Sequence, residues 1–203
     1  VHNCEPDIYS PLSDDQRIAL KQKYGLAGKF IIGTVARNQG RKMLDRQLKS
    51  FALAAKKMPN AILFMHSDKF DAAAYFNPDD IANKYGIANR IVWSGVRYYK
   101  GFNYKQMNEI YNLMDVFFLS TSGEGFGIPT IEAMSAGIPV VITDYTTTEE
   151  LITRNKAGEG VKLATELLGS WNVERGVMDL QDGADKLLKL YNDPILRKQY
   201  GMN

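Results

Sequence analysis

Residues 115–144 read DVFFLSTSGEGFGIPTIEAMSAGIPVVITD. Two apolar runs, 115–121 and 138–144, flank a loop with glycines at 123, 125 and 127 and a helix-length stretch over 129–136. Runs this apolar do not alternate in and out, which marks strands buried on both faces, and a helix between two such strands makes them parallel. Pro129 suits the start of that helix, where its missing N–H costs no hydrogen bond. Outward from this unit the rhythm repeats: FIIGTVA (30–36), AILFMH (61–66) and RIVWSG (90–95) read as strands. Helical periodicity covers 43–57, 78–86, 104–113 and 147–154, then 180–192 and 195–201. A further helix over 14–24 is announced by Ser13 with Gln16, a capping-box pair, and by Gly25 just past its end. The pattern predicts an α/β protein, a single doubly wound, Rossmann-like parallel sheet with helices on both faces. Segment 164–178, ATELLGSWNVERGVM, follows neither period.

Composition narrows the function. The 203 residues carry 25 Lys+Arg against 23 Asp+Glu, a balance of 25 − 23 = +2, with 45% hydrophobic and 24% charged residues. These values argue against disordered, collagenous and coiled-coil classes, and the even charge without a basic stripe argues against a nucleic-acid partner. Cys4 is the only cysteine, so no internal disulfide forms and a reducing, cytoplasmic location is expected. Apolar runs such as 116–119 fall far short of the roughly 20 residues of a membrane span, and the first ten residues lack a secretory pattern. The chain begins without methionine, which points to a piece of a longer protein.

In open α/β sheets, ligands bind outside the carboxyl ends of the strands. The loop 122–128 sits at one such end. Its glycines let backbone N–H groups approach a ligand, and the helix start beyond favours an anion, so a phosphate or pyrophosphate fits; a plain tight turn is the alternative. Glu124 lies in the loop, and Glu132 lies one turn into the helix, where side chains tilt back toward the N-terminus. Each alone reads as a solvated loop charge or a helix-dipole partner. Together with the glycines, they suit a nucleotide carrying a sugar, whose hydroxyls donate to carboxylates. A dinucleotide is the competitor, since Asp144 lies 19 residues beyond Gly125, near the spacing of a ribose-binding acid. However, Ile128 stands where GxGxxG needs its last glycine. After the first strand, Arg37, Arg41 and Lys42 offer cations for a diphosphate. His2 and His66 are the only histidines, with no metal-ligand spacing, and no metal site is expected; His66 reads as a satisfied strand-end histidine, with a place at the cleft rim as the alternative.

The chain resembles the C-terminal, donor-binding half of retaining glycosyltransferases of family 4, which have the GT-B architecture. EGFGIPTIEAMSAGIPVVITD (124–144) is similar to that family's signature of two glutamates eight apart. VARNQGRK (35–42), RIVWSGV (90–96), MNEIYNLMDVFFLST (107–121) and YNDPILRKQYG (191–201) resemble further family motifs. The resemblance implies an interdomain linker at 1–11, a nucleotide-sugar-binding domain at 12–203 and a preceding acceptor domain absent from this chain. It implies that Arg37 and Lys42, with Arg41 competing for the lysine role, bind the donor diphosphate and stabilise the leaving nucleotide. Glu132 would hold the ribose, and Glu124 the transferred sugar. The loop of Gly125, Phe126, Gly127, Ile128 and Pro129 would contact sugar and phosphate, and the backbone of Val96 and Arg97 would grip the base. The implied reaction is retaining, metal-independent hexosyl transfer from a GDP- or UDP-sugar, of GDP-mannose or UDP-glucose type, to a hydroxyl. The acceptor would be a glycan, lipid or small molecule held by the absent domain, without which this domain is expected to be inactive. No cofactor is required, and peripheral membrane association of the full-length protein is compatible with the family. A noncatalytic nucleotide-sugar-binding module is the rival reading. Relative to the family, the loop 97–105 is long and 164–178 resembles an insertion.

Overall fold

The computed structural model describes residues 7–203. His2, Cys4 and the first half of the expected linker lie outside the described residues. Six strands, β1 (Phe30–Val35), β2 (Ala61–His66), β3 (Ile91–Trp93), β4 (Val116–Leu119), β5 (Val140–Thr143) and β6 (Gly158–Val161), form one parallel sheet in the order β3-β2-β1-β4-β5-β6. Every residue of β2, β4 and β5 is buried, as continuous apolar runs require when helices cover both faces. Burying each large side chain of these runs stabilises the fold by about 1.5–3 kcal/mol relative to exposure.

The helices are α1 (Asp14–Lys23), α2 (Leu44–Ala55), α3 (Pro78–Lys84), α4 (Tyr104–Leu113), α5 (Ile128–Ser135), α6 (Leu180–Asn192) and α7 (Pro194–Met202). Ser13 and Gln16 form the expected capping box of α1, and Asn103 and Gln106 cap α4 in the same way. None of the helices is long and apolar enough to cross a membrane among the described residues. The second half of the expected linker is pinned to α4: Ser10 N donates to Asn108 Oδ1 at 3.2 Å, and Tyr9 packs edge-on to Tyr111.

Three segments differ from the sequence expectation. The helix expected at 147–154 is a single wide turn over Glu149–Thr153. The sixth strand, β6, reads GEGV and lacks the apolar signal of the other five. Its glycines are there for proximity: a Cβ on Gly158 would lie 2.0 Å from the Val140 carbonyl oxygen. The segment without a period is an antiparallel hairpin, β7 (Leu163–Leu168) and β8 (Glu174–Met178), whose turn holds Trp171 and Asn172 at φ of 66° and 54°.

Candidate functional site

Chain order reverses between β1 and β4, which are neighbours in the sheet although the chain leaves them in opposite directions. Their carboxyl-end loops therefore diverge and open a crevice, the place where such sheets bind ligands. The two loops are stitched together below the crevice. Ser122 donates to the Arg41 carbonyl through both its N–H, at 2.7 Å, and its hydroxyl, at 2.8 Å, while the Ser120 hydroxyl reaches the Met43 carbonyl at 2.7 Å. The β8 strand joins the same loop through Gly176 N to Ser122 O at 3.2 Å.

Above this stitching lies a cavity of about 740 Å³, within the range of small-molecule sites. Arg37, Arg41, Lys42, Val96, Glu124 and the loop residues Gly125, Phe126, Gly127, Ile128 and Pro129 all line it. Gly127 caps α5 at φ 84°, a left-handed conformation that costs glycine nothing and a side chain much more. The first turn of α5 thereby opens at the cavity. Glu124 accepts from Lys42 Nζ at 2.5 Å and from Arg41 Nη1 at 3.0 Å. Arg37 is held by Asp71, through Nε at 2.6 Å and Nη2 at 3.2 Å, and its guanidinium lies 3.7 Å from the Tyr98 ring centre.

Two expected site residues stand apart from the lining. Glu132 accepts from the Tyr111 hydroxyl at 2.5 Å, on the side of α5 facing α4. The Arg97 side chain turns outward, pairing with Asp68 at 3.3 Å and stacking on Phe70 at 4.4 Å; the expectation for Arg97 concerned its backbone. Asp144, the acid of the dinucleotide alternative, is exposed and outside the cavity lining. Among the described residues, no group of three or more His, Cys, Asp or Glu gathers as a metal-binding cluster.

Residues 16–203 match the family described as Glycosyl transferases group 1. The chain belongs to this family. It is 28% identical over 142 residues to the mannosylfructose-phosphate synthase of Agrobacterium fabrum, a match covering 66% of this chain and 30% of that protein. Among solved structures, the C-terminal domain of a glycosyl transferase group 1 protein from Francisella tularensis superposes with a TM-score of 0.76 at 20% identity, covering 99% of this chain and 94% of that one. HepE of Anabaena, in complex with UDP and glucose, gives a TM-score of 0.76 at 18% identity, covering 99% of this chain and 49% of that one. The chain thus spans from under a third to about half the length of these two longer proteins, and the solved structures share its Rossmann-like fold.

In this group 1 glycosyltransferase chain the charges of the crevice are mutually tuned. Burial alone would push the Glu124 carboxyl up, but the Lys42 charge and hydrogen bond, helped by Thr121 and Arg41, outweigh it and hold the group below the usual carboxylate range. Burial pulls the Lys42 ammonium down, with Glu124 opposing the shift. His66 lines the cavity with its Nδ1 unpartnered among the described residues, so it is not the satisfied strand-end histidine expected; desolvation lowers its pKa to about 4 and its imidazole is neutral at pH 7. Sequence reasoning passed over Ser67, Asp68 and Tyr98 in the lining and Asp71 behind it. The one available signal was position: SDKFD (67–71) follows β2 at the same sheet edge as the glycine loop and the Arg37–Lys42 loop.

Proposed function

We propose that this chain is the donor-binding half of a retaining glycosyltransferase that moves a hexosyl group from a GDP- or UDP-sugar to a hydroxyl acceptor. The observation that carries the reading is the pairing across the crevice: the glycine loop and first turn of α5 face Arg37, Arg41 and Lys42 over a cavity large enough for a nucleotide sugar. Backbone N–H groups at a helix start and cationic side chains are complementary to a diphosphate, and Glu124 offers acceptors to sugar hydroxyls. The UDP complex of HepE, which shares the fold, supports a nucleoside diphosphate as ligand class.

In the proposed reaction the acceptor hydroxyl attacks the anomeric carbon from the face on which the bond to the diphosphate oxygen breaks. The new glycosidic bond forms on that face, and the hydroxyl proton passes to the departing phosphate oxygen. Arg37, Arg41 and Lys42 stabilise the negative charge that grows on that oxygen, the role a divalent ion plays elsewhere. Glu132 is proposed to meet the ribose hydroxyls and the backbone at Val96 and Arg97 the base. The acceptor, a glycan, lipid or small molecule, is held by a preceding domain in the whole protein, which works in the cytoplasm at or near a membrane surface.

Titration of this chain with UDP, GDP and ADP and with their sugar conjugates tests the reading by calorimetry. One base is expected to be preferred, with micromolar to millimolar affinity. Absence of binding to any of them overturns the donor-site assignment.

A further inference from the structure

The loops after β1, β2 and β3 are tied together at the cavity rim by two arrangements of the same kind. Arg37, from the first loop, pairs with Asp71 of the second and stacks on Tyr98 of the third. Arg97, from the third loop, pairs with Asp68 and stacks on Phe70, both of the second. Asp68 Oδ2 also accepts the Tyr98 N–H at 2.9 Å, which fixes the residue that Arg37 stacks on.

We propose that Asp71 is a positioning residue for the donor site, holding the Arg37 guanidinium in the plane and direction from which it meets the ligand diphosphate. The Asp71 side chain is only 5% exposed and is absent from the cavity lining, whereas Arg37 and Tyr98 both line it. The carboxylate therefore stands behind the guanidinium and leaves the ligand's space clear. Asp71 is oriented by its own loop, since its Oδ1 accepts the Ala73 N–H at 2.9 Å. It engages Nε and Nη2 of Arg37, and a guanidinium is a rigid fork, so this fixes where Nη1 points. The Tyr98 ring closes off one face at 3.7 Å. An arginine on an exposed loop otherwise loses much of its rotamer freedom when it meets a ligand; here that ordering is already present in the free protein.

The inference rests on the donor-site reading, and its test separates the two. Asp71→Ala, Asp71→Asn, Arg37→Ala and the Arg37→Ala/Asp71→Ala double variant are titrated with UDP and GDP, and with uridine and guanosine as phosphate-free probes, by NMR. Asp71→Ala is expected to weaken the preferred diphosphate by about three- to tenfold, the equivalent of ordering one rotamer-rich side chain, and to leave the nucleoside unchanged. Asp71→Asn, which keeps an acceptor, is expected to lose less, and it carries the comparison if Asp71→Ala does not fold. In the Arg37→Ala background, removing Asp71 is expected to change nothing further. Equal weakening of diphosphate and nucleoside overturns the proposal in favour of a general loop brace, and tighter diphosphate binding overturns it in favour of a competing anion. If the unaltered chain binds neither probe, the donor site itself falls; if it binds and Asp71→Ala matches it, this inference alone falls.

Discussion

Glu132 carries two demands that one carboxylate can meet only in part. Its Oε2 accepts from the hydroxyl of Tyr111, a side chain wholly inside the core, while the proposed ribose contact needs acceptors at the crevice. A carboxylate has two oxygens and several lone-pair directions, so one oxygen can brace α5 against α4 and the other can serve a ligand. Glu132→Ala is expected to lower stability by about 1–2 kcal/mol through loss of a charge-assisted hydrogen bond, and to weaken nucleotide binding about tenfold. Tyr111→Phe removes the brace while keeping the Glu132 carboxylate and is expected to keep nucleotide affinity within a few-fold. Urea unfolding and calorimetry on the two variants separate the effects, and a Glu132→Ala protein that loses stability but keeps its affinity would make this carboxylate a brace alone. At this scale the sequence spoke clearly where residue type and backbone conformation coincide, as at Gly127, and where cations follow a strand, as at Arg37 and Lys42. It was silent on Asp71 and Tyr98, because a loop aspartate or tyrosine carries no period and acquires its role only when three loops converge.

Among the elements, strand β6 shows why spacing alone misses a strand. An apolar run announces a strand through what its side chains bury, and β6 instead contributes closeness of backbone to β5. Gly158→Ala would set a methyl 2.0 Å from the Val140 carbonyl oxygen and 2.7 Å from Val140 Cγ2, and a backbone oxygen in a paired strand cannot swing aside. The expected loss is roughly 2–4 kcal/mol, at or above the usual cost of overpacking, read as a lower urea midpoint with an unchanged slope. Gly125→Ala is the contrasting variant: nothing lies within 4 Å of its added methyl, so its stability is expected to stay within about 0.5 kcal/mol of the parent. The five apolar strands and the cap of α1 were legible because burial on two faces and the capping box leave marks in residue type. The β7–β8 hairpin was not, since its tip exposes Leu167, Leu168 and Trp171, the last 94% accessible, so hydrophobicity there does not report burial.

For the whole molecule, the +2 balance conceals charges that are paired at specific places, and these set how stability varies with pH. Asp71, Glu124 and Glu159 are all held below the ordinary carboxylate range: Asp71 by the Arg37 hydrogen bond, Glu124 by Lys42, Thr121 and Arg41 against burial, and Glu159 by Lys189, Tyr200 and Lys186 against burial. Such groups stabilise the fold above about pH 4–5, and that contribution fades only as pH falls through their depressed folded values. His66 acts in a higher window. The residue is 8% exposed, its Nδ1 has no hydrogen-bond partner among the described residues, and the ring meets Phe102 edge-on at 5.0 Å. The fold therefore resists its protonation, with a pKa of about 4 against about 6.5 in the unfolded chain. Well above pH 6.5 neither state is protonated and the group has no effect on the slope. Between pH 6.5 and 4 the unfolded state takes the proton and the folded state does not, so stability falls with pH, by about 2 kcal/mol from pH 7 to pH 5. Urea unfolding at the two pH values is expected to show that loss in the parent chain and to show most of it gone in His66→Gln, whose side chain does not titrate. An equal loss in both proteins would assign the acid sensitivity to other groups and mean that His66 accepts a proton in the fold as readily as in the unfolded chain.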